Sequence, residues 1–260
     1  MERKDIKKII SPKVASGFTL LELILASLLT TIVVTLTGIG LLNLSSSDLR
    51  NAAEKELITN FNRASALITD ELRQARRVMT QDDLRSSNDT ANGIPSGAIP
   101  GVATRVLGIV NPNFTTPIVY YTLASPAKLV GPRVLYRYGP DLNEDGTYKT
   151  PTNTATWVTA VVTDLIPDVN DATNDTAVLS SLRRTCSSGW TRIPSSDSDI
   201  DGFSVCINGT NRVNLRIYGT VPLKLTGTPR ISYETSTTVF TRSAPSTPSP
   251  SPSPSPSPSP

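Results

Sequence analysis

From Phe18 to Leu44 the chain reads FTLLELILASLLTTIVVTLTGIGLLNL, 27 residues with one charged side chain, Glu22. Few folds accommodate such a run. As a helix it extends about 40 Å at ~1.5 Å per residue, more than the roughly 30 Å hydrocarbon core of a bilayer. It is about twice as long as the apolar part of a cleaved secretory signal, and no convincing A-x-A site follows it. Ahead of it, residues 1–17 hold Arg3, Lys4, Lys7, Lys8 and Lys13 against Glu2 and Asp5, a net of +3. The positive-inside rule then places residues 1–17 in the cytoplasm and the remainder across the membrane.

Glu22 is the anomaly in this segment. A carboxylate near the head of a membrane helix costs a few kcal/mol unless it finds a partner, which makes it a functional-site candidate. No Lys, Arg or His lies between Phe18 and Asp48, so the partner has to come from outside the isolated helix.

Charge and composition remove several function classes. The net charge is +3 over 260 residues. Residues 18–79 carry six charges of each sign and residues 80–260 fourteen of each, so the whole excess sits in the leader. A neutral body offers no electrostatic footprint for a phosphate backbone, and no nucleic-acid partner is expected. The chain has no histidine, which excludes Ser-His-Asp, Cys-His and HExxH chemistry. Two cysteines are too few for a four-cysteine zinc site.

Ser16-Gly17-Phe18-Thr19-Leu20-Leu21-Glu22-Leu23, behind a short basic leader and ahead of a long apolar run, resembles the prepilin cleavage and methylation signal of type IV pilins and type II secretion pseudopilins. The resemblance implies that a membrane-embedded aspartyl peptidase, the prepilin peptidase, cuts between Gly17 and Phe18 and N-methylates Phe18. It implies an assembly role for Glu22, whose carboxylate meets the new α-amine of a neighbouring subunit. A misaligned subunit leaves both buried charges unpaired, so the pair sets axial register. The implied partners are the prepilin peptidase, other pilin or pseudopilin subunits and an inner-membrane assembly platform, with no cofactor. The implied location is the inner membrane, C-terminal domain outside the cytoplasm, and then a pilus or pseudopilus. The likeness is firm over residues 11–45 and looser to 79.

Past Asp48 the pattern becomes amphipathic. Leu49, Ala53, Leu57, Phe61, Ala64, Ile68, Leu72, Ala75 and Met79 recur at spacings of three and four, one face of a helix. One helix is therefore expected from about residue 19 to 79, membrane-spanning over 18–44 and amphipathic over 45–79. Ser45-x-x-Asp48 is a loose capping box that allows a break there. Arg73, Arg76 and Arg77 are expected in the closing turns, where the helix dipole favours cations. The stretch Ile68-Thr-Asp-Glu-Leu72-Arg-Gln-Ala75-Arg resembles the helix end of larger minor pilins and J-type minor pseudopilins.

Residues 80–242 read as a β-rich domain. Short β-like runs lie at Val102–Val110, Pro117–Ala124, Arg133–Tyr138, Thr156–Thr163, Phe203–Ile207, Arg212–Tyr218 and Thr235–Thr241. Val134, Tyr136 and Tyr138 alternate with Arg133, Leu135 and Arg137, and Val213, Leu215 and Ile217 with Asn214 and Arg216, as for strands with one buried face. Asn208-Gly209 is a hairpin signal. The expected fold class is α+β, a long N-terminal helix packed on an antiparallel sheet. Residues 243–260 hold eight of the 21 prolines and read as a disordered, polyproline-like Ser-Pro tail.

Three further features carry possible chemistry. Asp141-x-Asn143-x-Asp145-Gly146 opens like an EF-hand loop, but its twelfth position is Thr152 and no helices flank it. A hairpin loop is the favoured reading, and a weak calcium site on Asp141, Asn143 and Asp145 the alternative. Cys186 and Cys206 stand in an oxidising compartment once past the membrane, so a disulfide is expected. Asp197, Asp199 and Asp201 cluster in one loop with no evident general base, and read as a solvated turn before a carboxylate pair. The chain thus reads as a minor pilin or pseudopilin precursor with no catalytic role. The alternative is an anchored adhesin or carbohydrate-binding domain that does not polymerise.

Overall fold

The computed structural model describes residues 19–126, 129, 131–170, 176–222 and 230–242. Gly17, Phe18 and the Ser-Pro tail lie outside the described residues. Two compact units divide the chain, Met1–Leu49 and Arg50–Pro260, and a single helix, α1 (Leu20–Gln74), has residues in both.

In the first unit, Leu20–Gly38 is long and apolar enough to cross a membrane, with a mean hydropathy of 2.2 and none of it covered by other parts of the chain. Its polar side chains are satisfied within the helix. The hydroxyls of Ser27, Thr30, Thr31, Thr35 and Thr37 each donate to a carbonyl three or four residues earlier, at 2.7–2.8 Å. In hydrocarbon such donors have no water to turn to, so this back-bonding removes a cost of transfer. The helix runs unbroken through Ser45–Asp48. Continuation of the helical hydrogen bonds wins over the loose cap there.

In the second unit the apolar stripe of α1 becomes the spine of a core. Leu57, Phe61, Ala64, Ile68 and Leu72 are all at most 2% exposed. Against them lie nine strands: β1 (Arg77–Val78), β2 (Thr104–Val110), β3 (Ile118–Ala124), β4 (Arg133–Gly139), β5 (Val158–Ile166), β6 (Thr191–Ile193), β7 (Phe203–Asn208), β8 (Arg212–Pro222) and β9 (Arg230–Phe240). They form two antiparallel sheets, each a meander, in the orders β1-β2-β3-β4-β5 and β6-β7-β8-β9. A short helix, α2 (Thr176–Leu182), precedes β6. The architecture is an apolar N-terminal helix with two antiparallel sheets, an α+β fold.

The helix ends five residues before the expected 79, and the reason is competition for backbone groups. The N–H groups of Arg76 and Met79 donate to the Val110 and Gly108 carbonyls of β2, and that of Val78 to Thr210. Strand pairing takes donors that a longer helix would need. Ala75 and Met79 still reach the core, but from a turn and from the end of β1. Only Arg73 therefore lies in the closing turn of α1. Arg77 belongs to β1 and bonds Asp83, so the expected arginine cluster at the helix end does not form.

β3 sits at the centre of its sheet and is buried on both faces from Ile118 to Thr122. Tyr120 and Phe203 of β7 bring the two sheets together, their ring centroids 6.5 Å apart. Tyr121 on the other face stacks on Tyr136, at 5.5 Å. Phe61 closes the helix against β8, where Gly219 leaves room for it: a Cβ built there lies 1.9 Å from the ring's Cζ.

Candidate functional site

Glu22 lies in the first turn of α1, and its carboxylate is used locally. Thr19 stands before the helix as its N-cap, and the Glu22 backbone N–H donates to Thr19 Oγ1 at 3.3 Å. In return the Thr19 N–H and hydroxyl both donate to Glu22 Oε2, at 3.1 and 3.2 Å. This is a reciprocal capping box, which satisfies donors that the start of a helix otherwise leaves orphaned. The negative charge also sits at the positive end of the helix dipole. Thr19-x-x-Glu22 ahead of an apolar run carries this signature in the sequence, but reading Glu22 for its charge alone passes over it. Gly17 and Phe18, between which the sequence resemblance implies cleavage, lie outside the described residues.

The second unit hides a different ionic cluster. Glu71 of α1 and Arg137 of β4 are each 3% exposed. Arg137 Nη2 and Nε donate to Glu71 Oε1 at 2.6 and 2.9 Å, and its Nη1 to the Pro140 carbonyl at 2.9 Å. The Tyr120 hydroxyl donates to the other Glu71 oxygen. Burial works against the Arg137 charge, yet the adjoining carboxylate holds its pKa above the ordinary value. Burial, reinforced by that same carboxylate, pushes Tyr120 well up. With every strong group paired, the cluster clamps helix to sheet and leaves no free base or nucleophile. Periodicity could have found Glu71: three residues after Ile68 and four before Ala75, it falls within the apolar stripe, where a carboxylate needs a partner.

The three loop aspartates do not converge. Asp197 pairs with Arg192, and Asp199 accepts from the Ser198 hydroxyl at 3.1 Å. Asp201 turns inward and is 2% exposed. It accepts from Thr122 Oγ1 at 2.7 Å and lies 3.4 Å from Arg133 Nε, which it shares with Asp168. Burial pushes its pKa up to about 6 despite the Thr122 donor and the Arg133 charge. The expectation of a solvated turn holds for Asp197 and fails for Asp201, whose neighbours Ile200 and Phe203 are fully buried and pull it inward.

In the Asp141 loop the carboxylates have protein partners. Asp141 takes Lys149 Nζ at 2.8 Å, and Asp145 accepts from the Thr147 N–H and hydroxyl at 2.9 and 2.7 Å. The Asn143 amide donates to that same hydroxyl. The Asn143 N–H bonds back to the Thr147 carbonyl and Leu142 bridges Tyr148, so the segment is a tight hairpin. Those bonds lower the pKa of both aspartates, through Lys149 for Asp141 and Thr147 for Asp145. Among the described residues no group of three or more His, Cys, Asp or Glu is arranged to hold a metal ion.

Cys186 and Cys206 are joined, their Cα atoms 5.8 Å apart across 20 positions. Closing a loop of that length contributes on the order of 3 kcal/mol in the chain-entropy account. Comparison with family models, curated proteins and solved structures finds no match to this chain.

Proposed function

We propose that the chain is the precursor of a filament subunit, a minor pilin or pseudopilin, whose work is assembly rather than catalysis. The observation that carries this reading is Leu20–Gly38: a helix long and apolar enough to cross a membrane, nothing covering it, with one carboxylate in its first turn. The sequence Gly17-Phe18-Thr19-Leu20-Leu21-Glu22 at its head supports cleavage after Gly17 and N-methylation of Phe18 by a prepilin peptidase. In the membrane the basic leader is cytoplasmic and the sheet domain lies on the far side.

The capping box gives the mechanism a physical starting point. In the single subunit Glu22 is held at the helix head by Thr19, so its charge is not left bare in the bilayer. In the filament the same carboxylate is available to the α-amine of a neighbouring Phe18. Partial satisfaction at rest and full charge pairing on assembly reward only the correct axial position.

The test is the N-terminal mass of the protein isolated from its own membranes, with and without the prepilin peptidase. The expected product begins at methylated Phe18 and is missing without the peptidase. An intact Met1 leader in both, or a cut near residue 45, would overturn the proposal.

A further inference from the structure

The chain has two tryptophans, and they are used in opposite ways. Trp157 is 8% exposed, edge-on to Phe114 and tilted against Tyr138. Its indole N–H donates to the Pro151 carbonyl at 3.2 Å. Trp190, between α2 and β6, is only partly buried. Among the described residues no aromatic ring packs on it and no acceptor takes its indole N–H. Core packing accounts for the first ring and not for the second.

Trp190 lines a groove of about 280 Å³, close to the lower end of the roughly 300–1,000 Å³ common for small-molecule sites. One wall is the loop bearing Cys186; the floor is the outer face of β8 and β9. Val213, Leu215 and Ile217 face the core, so pleating turns Asn214 and Arg216 outward. Ser236 and Thr238 come from the facing positions of β9. The disulfide fixes the wall to β7, so little ordering is left for a ligand to impose.

Two cations share one carboxylate in the groove: Arg184 Nη1 lies 3.4 Å from Glu234, and Arg216 grips the same group more closely. Arg216 holds Glu234 through Nη2 at 2.8 Å and Nε at 3.1 Å, and its remaining N–H groups reach the Arg184 and Ser181 carbonyls. The Asn214 amide donates to Thr238 Oγ1 at 3.0 Å and Ser236 Oγ at 3.4 Å. Both hydroxyls therefore keep their protons for another acceptor. What remains for a ligand is an indole, the Ser236 and Thr238 hydroxyl donors, an amide oxygen and a polar wall of Arg184, Thr185 and Ser187. That set does not suit phosphate, which needs cations clear of carboxylate whereas both arginines here engage Glu234, nor an extended peptide, which needs a sheet edge rather than a face.

We propose that this groove binds a neutral saccharide of one or two rings. A pyranose offers an apolar C–H face to the Trp190 ring and a rim of hydroxyls to Asn214, Ser236 and Thr238. The site does not depend on the filament reading, since an anchored domain and a filament subunit would carry it alike.

Two tryptophans give two indole N–H signals, which makes the test direct. The full chain, labelled with ¹⁵N-tryptophan in a phosphocholine detergent free of sugar headgroups, is titrated with cellobiose, maltose, lactose and N,N′-diacetylchitobiose. Trp190→Phe assigns the signals. The expected result is that at least one disaccharide moves the Trp190 signal saturably while the Trp157 signal stays in place. Asn214→Ala is expected to weaken that binding by about tenfold, the scale of one lost polar contact. Trp190→Ala is expected to abolish it, read by equilibrium dialysis, with an unshifted Trp157 signal showing that the variant is folded. An unmoved Trp190 signal with all four sugars, equal movement of both signals, or undiminished binding by Trp190→Ala would each overturn the proposal.

Discussion

At Asp201 a carboxylate sits 2% exposed between β3 and β4, against Thr122 and beside Arg133 and Asp168. Its pKa, about 6 when folded against 3.8 for an ordinary Asp, has a fixed consequence for stability. Below about pH 4 the group is protonated in both states. Between about pH 4 and 6 the folded chain keeps a proton that the unfolded chain has released, so stability falls as pH rises. Above that the loss stays constant at about 2–3 kcal/mol. In urea unfolding from about pH 4 to 7, Asp201→Asn should therefore gain on the wild type by that amount; a constant difference across the range would mean that Asp201 does not titrate there. Glu71 makes the opposite case, because its charge is fully paired. Glu71→Ala strands the Arg137 guanidinium, 3% exposed, and should cost about 3–5 kcal/mol in the same assay. Removing both charges with Glu71→Leu and Arg137→Met should recover most of the loss. If the double variant is as unstable as the single one, the cluster acts through packing rather than charge.

The approach of α1 to β8 tests how elements meet. Phe61 rests on Gly219, where an added Cβ would stand 1.9 Å from its Cζ and 2.9 Å from the Leu165 carbonyl oxygen. Gly219→Ala should cost about 1–3 kcal/mol through overpacking, and less in a Phe61→Leu background, because part of the clash goes with the ring. Equal costs in both backgrounds, read from thermal or urea midpoints, would place the strain in the backbone alone. This contact also marks where sequence stops being informative. The stripe from Leu57 to Leu72 is legible because burial on one face imposes a period, and β8 alternates for the same reason. β3 and β7, buried on both faces, show only as short apolar runs. The face of β4 expected to be polar is buried too, with Leu135 and Arg137 at 0% and 3% exposed. Which sheet a strand joins leaves no such imprint: β3 and β7 are both apolar runs, and one expected sheet became two. β1 and β6, of two and three residues, are too short to show any period. Residue 74 could not be read as the helix end because β2, more than thirty positions later, takes the next backbone donors. At the site, Thr19-x-x-Glu22 was legible as a cap. The Trp190 groove was not, since it depends on a disulfide and two strands brought together by the fold.

For the molecule as a whole, charge provides a readout of processing that needs neither a filament nor an assay of function. The chain carries 25 basic and 22 acidic side chains, a net of +3. The leader accounts for five and two of these, so a product beginning at Phe18 keeps 20 of each and is neutral in its side chains. Methylation of an amine leaves its charge in place. A secretory-type cut near residue 45 also removes Glu22 and leaves 20 basic against 19 acidic groups, a net of +1. The three fates are thus separated by charge as well as by length. On isoelectric focusing of membrane protein, the proposed maturation should move the chain by three charges, and Gly17→Glu, which puts a bulky charged residue at the scissile position, should hold it basic. Glu22→Gln should leave cleavage intact and shift the mature form by one further positive charge. It should also keep the mature form out of sheared filaments, because an amide can accept the Thr19 hydrogen bond yet cannot pair with a neighbouring ammonium. A Glu22→Gln chain found in filaments at the wild-type level would show that the capping bond, not the charge pair, is what assembly requires.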